Sequence, residues 1–197
     1  MRSHIFRSRK LPLVAGLAVA VGLIGAVPAG AQTTGGAEPP PSGGATAPTT
    51  TAPTVPGGRA KLLKNGMALA PAGAPINVVN AIAAGNAIRL MPYRYGGGHQ
   101  SFFDTGYDCS GAVSYVLNGA GLLTAPLPSG SFMNWGEPGK GAWITVFANK
   151  GHMYTVVAGL RYDTSAIGER FNKGSGPRWR ATKRKPKGYS IRHYPSL

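Results

Sequence analysis

The chain has 197 residues, with 21 Lys and Arg against six Asp and Glu, for a formal net charge of +15 at pH 7. That balance excludes an acidic or neutral surface and points to an anionic partner: cell-wall polymer, membrane surface or nucleic acid. A single cysteine, Cys109, excludes an internal disulfide framework and is a poor basis for structural zinc.

Arg2, Arg7, Arg9 and Lys10 form a basic start, Leu11 to Val27 is apolar, and Ala29-Gly30-Ala31 is a small-x-small cleavage signal. Residues 1–31 therefore read as a signal peptide, which predicts export, cleavage after Ala31 and a place that is secreted or in the cell envelope. The apolar stretch is short of the ~20 residues a spanning helix needs, so no stable membrane span is expected after cleavage. The mature chain would keep 166 residues, 17 basic and six acidic, a net charge of +11. That is enough for one domain with a core of its own.

Residues 32–58 are rich in Pro, Thr and Gly, with Glu38 their only charged residue, and read as a disordered linker. Residues 59–75 read as a lead-in to a domain over 76–197. Ile76 to Leu90 reads as a helix with Ile76, Val79, Ile82 or Ala83, Ala87 and Leu90 on one face; Gly85 weakens it. Pro92-Tyr93-Arg94-Tyr95-Gly96-Gly97-Gly98 is turn-forming. A second helix starts at the N-cap residue Asp108, carries Ala112, Val113, Val116, Leu117 and Ala120 at helical spacing, and ends at Gly119 or Gly121. Ala125 to Gly141 reads as a loop. Strands are expected at Ala142–Ala148, His152–Ala158, Leu160–Thr164 and within Tyr189–Tyr194, with Gly159 turning between the second and third. Helices followed by neighbouring strands give an α+β class with a mostly antiparallel sheet.

Cys109 falls in the first turn of the second helix. Unsatisfied backbone N–H groups and the helix dipole favour the thiolate there, which is the nucleophilic form. Position alone leaves a small buried cysteine equally open. A cysteine nucleophile needs a base, and the base needs a group to orient it. His152 opens a strand and Asp163 lies eleven residues later on the next, where antiparallel neighbours meet. As alternatives, His152 is a hydrogen-bonded loop-edge residue and Asp163 a strand-end cap.

Tyr93-Arg94-Tyr95-Gly96-Gly97, then Asp108-Cys109-Ser110-Gly111 on a helix, then Gly151-His152 opening a strand, resembles the NlpC-type cell-wall cysteine peptidases. The resemblance covers about Ile76 to Thr164. It implies a minimal papain-like fold, with the cysteine helix packed on an antiparallel sheet that carries the histidine. It also implies cleavage of peptidoglycan stem peptides between D-glutamate, through its γ-carboxyl, and a diamino acid. Carried over residue by residue, Cys109 is the nucleophile and His152 the general base. Asp163 stands where the family often has a second histidine or another polar residue. Tyr93 matches a tyrosine near the nucleophile, and Asp108 and Ser110 match positions that bind substrate. The strand before the histidine departs from the family pattern: Lys140 to Phe147 lacks its acidic residue. That departure keeps an inactive wall-binding module open, and an amidase or acyltransferase on the same core is a further alternative.

His99 reads as an exposed loop histidine, with a place lining the cleft as the alternative, and His193 as an edge-strand residue. The histidines offer no close ligand pair, so no metal and no cofactor are expected. The basic C-terminal segment, from Arg170 to Arg192, reads as a solvated tail or as a contact for anionic wall polymer. No nucleic-acid motif accompanies it, so no nucleic-acid partner is expected.

Overall fold

A computed structural model describes residues 54–168 and 174–197. The expected signal peptide, most of the expected linker, and Arg170 and Lys173 lie outside the described residues. Chain order is β1 (Thr54–Val55), β2 (Lys61–Leu62), β3 (Ala68–Pro71), α1 (Ile76–Ile88), α2 (Cys109–Gly119), α3 (Ser129–Phe132), β4 (Glu137–Pro138), β5 (Ile144–Ala148), β6 (Met153–Val157), β7 (Leu160–Asp163), β8 (Arg178–Arg180) and β9 (Ser190–His193). The class is α+β. The larger sheet runs β4-β9-β5-β6-β7-β8 and all its pairs are antiparallel. Alternation along its strands turns Ile144, Val146, Ala148, Met153, Val157 and Tyr162 into the core. α1 and α2 pack on each other and against β6 on that face.

The β6–β7 hairpin follows directly from its two-residue turn. Ala158 and Gly159 both have positive φ, 46° and 77°, as a type I′ turn requires. The turn fixes the register Val157↔Leu160 and Thr155↔Tyr162. Continued by one residue, that register sets Tyr154 opposite Asp163, with His152 its diagonal neighbour.

Several elements differ from the sequence expectations. Thr54–Val55, inside the segment read as linker, pairs in parallel with β3, and β2 pairs with β3 on its other side. This small sheet is tied down by Asn86 of α1. The Asn86 amide Oδ1 accepts from Ala68 N–H at 2.8 Å and from the Trp179 indole N–H at 3.0 Å, and Asn86 Nδ2 donates to Ala68 O at 2.9 Å. β8 was not expected: Arg178-Trp179-Arg180 is polar by composition, yet Trp179 and Arg180 are each 1% exposed. A short helix, α3, sits within the segment read as a loop. β9 lies between β4 and β5, so His193 is not on an edge strand.

α1 turns a different face inward from the one expected. Val78, Ala81, Ile82, Gly85 and Ile88 are buried, whereas Ile76 and Leu90 are two-thirds exposed. The helix is apolar nearly all round, so its periodicity admits more than one face. Gly85 selects among them. A Cβ there would come within 2.5 Å of Trp179, and its carbonyl accepts from the Tyr162 hydroxyl at 3.1 Å. The glycine that weakens the helix by propensity is what lets β8 pack on it.

Candidate active site

Three segments converge at the start of α2. The first is the helix itself. Asp108 has extended φ/ψ and its Oδ1 accepts from the Gly111 N–H at 2.8 Å, which makes it a true N-cap. Cys109 is therefore the first helical residue, half-buried and unpaired. Of the first-turn N–H groups, that of Gly111 is taken by the Asp108 side chain, while those of Cys109 and Ser110 have no intrahelical partner.

The second segment is the tyrosine–glycine loop. Tyr93 and Tyr107 form a parallel bridge, and Asp108 N–H donates to Gly97 O at 3.2 Å. Gly98 has φ of 79°, and a Cβ there would come within 2.8 Å of Gly111. A Cβ on Gly111 would overlap the Gly97 carbonyl. The glycines of the two motifs thus exist for one contact, in which the loop backbone lies directly on the first turn of the cysteine helix. The loop also delivers His99. Its Nε2 lies 2.9 Å from Asp108 Oδ2 and 3.0 Å from Ser110 Oγ, and its side chain is 33% exposed. His99 is accordingly not a free loop histidine. Asp108 is 5% exposed, and its two oxygens are engaged by His99, Ser110, Gly111 and the Gly96 N–H.

The third segment is the β5–β6 connection with the β6–β7 hairpin. Asn149 Oδ1 accepts from the Gly151 and His152 N–H groups at 3.0 and 2.8 Å, which holds the turn that presents His152. The imidazole Nε2 is 2.9 Å from Asp163 Oδ1. The Cys109 thiol lies near enough to the same ring to contribute to its electrostatics. Burial disfavours the imidazolium, but the bonds to Asp163 and Cys109 outweigh burial and raise its pKa from 6.5 to about 9. Asp163 has no exposed side-chain surface. Burial acts against its charge, yet the His152 bond, the Ser165 N–H at 2.8 Å and the Arg184 guanidinium at 3.1 Å together hold its carboxyl below the usual range. Arg161 Nε is 3.7 Å from the same carboxylate.

Cys109, His152 and Asp163 are thus brought together at the start of α2. Tyr93 sits close enough to Cys109 and Asp108 to feel their charge. With burial as the larger cause, this raises its pKa and keeps the hydroxyl protonated as a donor. Ser110 is 3% exposed and bonded to Asp108, so it faces the network rather than the cleft. His193 lies elsewhere, 3.6 Å from Glu137. Sequence reasoning missed His99, Asn149, Arg161 and Arg184. The Gly98-His99 pair next to a motif that must pack on the cysteine helix was the available signal for His99. Among the described residues there is no cluster of His, Cys, Asp or Glu that could hold a metal, and no helix long and apolar enough to cross a membrane.

No family model matches the chain. No curated protein matches it either. Among solved structures, it is similar to the peptidoglycan hydrolase RipB of Mycobacterium tuberculosis, with 18% identity and a TM-score of 0.44 over 62% of this chain and 73% of that one. It is similar to a hypothetical invasion protein of the same bacterium, with 20% identity and a TM-score of 0.42. A mutated form of the Resuscitation Promoting Factor Interacting protein RipA gives 22% and 0.41. The chain covers 62% of the length of each of the last two, and they cover 60% of this chain. The resemblance to the NlpC-type peptidases is carried by this chain's own residues: a tyrosine–glycine loop, Asp-Cys-Ser-Gly at a helix start, and a histidine opening a strand of an antiparallel sheet.

Proposed function

We propose that this chain is an exported cysteine endopeptidase. Its substrate is the stem peptide of peptidoglycan, cut between D-glutamate, through its γ-carboxyl, and the diamino acid. The observation that carries the reading is His152, bound to a buried carboxylate at 2.9 Å and close enough to the Cys109 thiol for the two to interact electrostatically. A structural histidine needs no carboxylate backed by two guanidiniums and no thiol beside it. A catalytic one needs both.

With its pKa near 9, His152 carries the proton at neutral pH, and a cation beside a thiol favours the thiolate. The Cys109 sulfur attacks the scissile carbonyl carbon, and the carbonyl electrons move to oxygen. In this reading, backbone N–H groups at the start of α2 and the Tyr93 hydroxyl receive that oxyanion. As the tetrahedral species collapses, the C–N bond breaks and the imidazolium gives its proton to the leaving amine. A thioester remains on Cys109. His152, now neutral, takes a proton from water, whose oxygen attacks the thioester and releases the acid and the thiolate. Asp163 stays ionised throughout and keeps the ring aimed. Asp108 and Ser110 act through His99, whose exposed edge is the part of that network a substrate can touch.

The test is digestion of purified sacculi with mass analysis of the fragments. Wild-type protein should release fragments cut within the stem, and Cys109→Ala should release none. Fragments cut at the glycan–peptide amide instead would make the protein an amidase. Binding to sacculi without any release would make it a wall-binding module.

A further inference from the structure

The face of the large sheet turned away from the helices carries a second feature. Thr145 and Phe147 of β5, Tyr154 and Val156 of β6, and Arg161 of β7 alternate with the core residues and so point to this side. The segment after β8 crosses over them. Between the two lies a groove of about 440 Å³. Its walls carry Arg59, Lys140, Arg161, Lys183 and Arg184 and no acidic residue.

The groove's charge has little counterpart among the described residues. The described residues contain four carboxylates. Asp104 is paired with Arg94, Asp108 with His99, and Glu137 with His193. Asp163 touches two of the groove's cations, Arg184 and Arg161, and it is shared with His152. Lys140, Lys183 and Arg59 are exposed, and no carboxylate of the described residues pairs with them. Like charges gathered in a concave site repel one another unless an anion from outside neutralises them. The floor does not suit nucleic-acid bases. Phe147 and Tyr154 stack on each other at 4.6 Å, are nearly fully buried, and have the Arg184 guanidinium 5.5 Å from the Tyr154 ring centroid. No aromatic face is left on which a base could stack. What the groove offers is guanidinium forks and ammonium groups over a packed floor, which fits phosphate.

We propose that this groove binds a phosphodiester-linked polymer of the cell wall and holds the enzyme on the wall next to its peptide substrate. The groove is lined by residues other than the thiol; that its occupant is a wall polymer beside the substrate rests on the peptidase reading, whereas polyanion binding by the groove is measured without turnover. Arg184 belongs to both regions, because it lines the groove and contacts Asp163.

The experiment uses the full chain with Arg59→Gln, Lys140→Gln and Lys183→Gln combined, leaving Arg184 and Arg161 in place. The probe is inorganic polyphosphate, titrated at several salt concentrations. Wild-type protein should bind, with affinity falling as salt rises. The triple variant should bind at least ~10-fold more weakly, since each basic group near an anionic surface contributes on the order of a few-fold or more. Its turnover of a short soluble stem peptide should be unchanged, and its release of fragments from phosphate-bearing walls should fall. Equal polyphosphate binding by the triple variant would overturn the proposal. So would single-stranded DNA binding the wild type more tightly than polyphosphate of matched charge. Binding is read without turnover, so an inactive wild-type protein would sink the peptidase reading and leave the groove's test intact.

Discussion

Replacing Asp163 by Asn removes a charge from the centre of the site while keeping the side chain's shape. Two consequences can be worked out. The first is on His152. Its pKa of about 9 depends on the Asp163 bond, which together with the Cys109 thiol overcomes the opposing effect of burial. Without the carboxylate it should fall toward 6.5 or below. At pH 8 the protonated fraction then drops from about nine-tenths to about 3%, so protonation alone predicts a loss of about 30-fold in turnover. At pH 6 the same change costs less than twofold. The activity gap between the two proteins should therefore widen with pH, and the alkaline limb should move from about 9 toward neutrality. The second consequence is on stability. A group whose folded pKa is raised stabilises fully below its unfolded value, and that contribution is lost as pH rises through the folded value. For His152 this is about 3 kcal/mol below pH 6.5, declining to nothing above about 9. The variant should lose that slope. It should also lose about 3–5 kcal/mol at all pH values in this range, because the buried ion pair of Asp163 with Arg184 is broken by removing one partner. The assays are a pH–rate profile on a stem peptide and urea unfolding at pH 6 and 8. If Asp163→Asn does not fold, Asp163→Glu should fold and retain the alkaline limb with reduced turnover. An unshifted alkaline limb in a folded Asn variant would refute the reasoning.

Other perturbations have separate outcomes. His99→Ala leaves Asp108 short of its imidazole partner and should cost about 1.5–3 kcal/mol in chemical unfolding. Because the ring is also the exposed edge of that network, KM for the stem peptide should rise more than kcat falls. Gly85→Ala sets a methyl 2.5 Å from Trp179 and should cost about 1–3 kcal/mol despite alanine's better helix propensity. A stability gain would show that α1 and β8 are packed less closely than described here. Gly111→Ala should drive the loop off the cysteine helix, and turnover of the stem peptide should fall sharply, since loop and helix no longer frame the thiol.

Much of the site could be read from sequence because it is local. Asp108 before an apolar helical repeat fixes where Cys109 sits. A two-residue turn between two short strands fixes which residue meets His152. α2 buries Ala112, Val113, Val116, Leu117 and Ala120, the face its periodicity predicted. What sequence did not show is set by partners far away in the chain. The inward face of α1 depends on Trp179, 94 positions after Gly85, and the helix's own pattern is too evenly apolar to choose. Arg161, Arg180 and Arg184 look like surface charge by composition. They are buried or half-buried because Asp163, the Asp163 and Gly174 carbonyls and the ring of Tyr154 give them places to go. His99 was missed for the same reason. A glycine-rich loop says that the chain turns, but not that the turn ends against Asp108.

The most direct measurement is an acid quench of the wild-type protein during turnover of a stem peptide, followed by intact mass and peptide mapping. A catalytic thiol predicts a thioester on Cys109 whose added mass is the amino-terminal part of the stem. The amine product should appear in a burst before the acid product. Cleavage that continues in Cys109→Ser at the wild-type rate, or product release with no modification at Cys109 under conditions that show a burst, would contradict it.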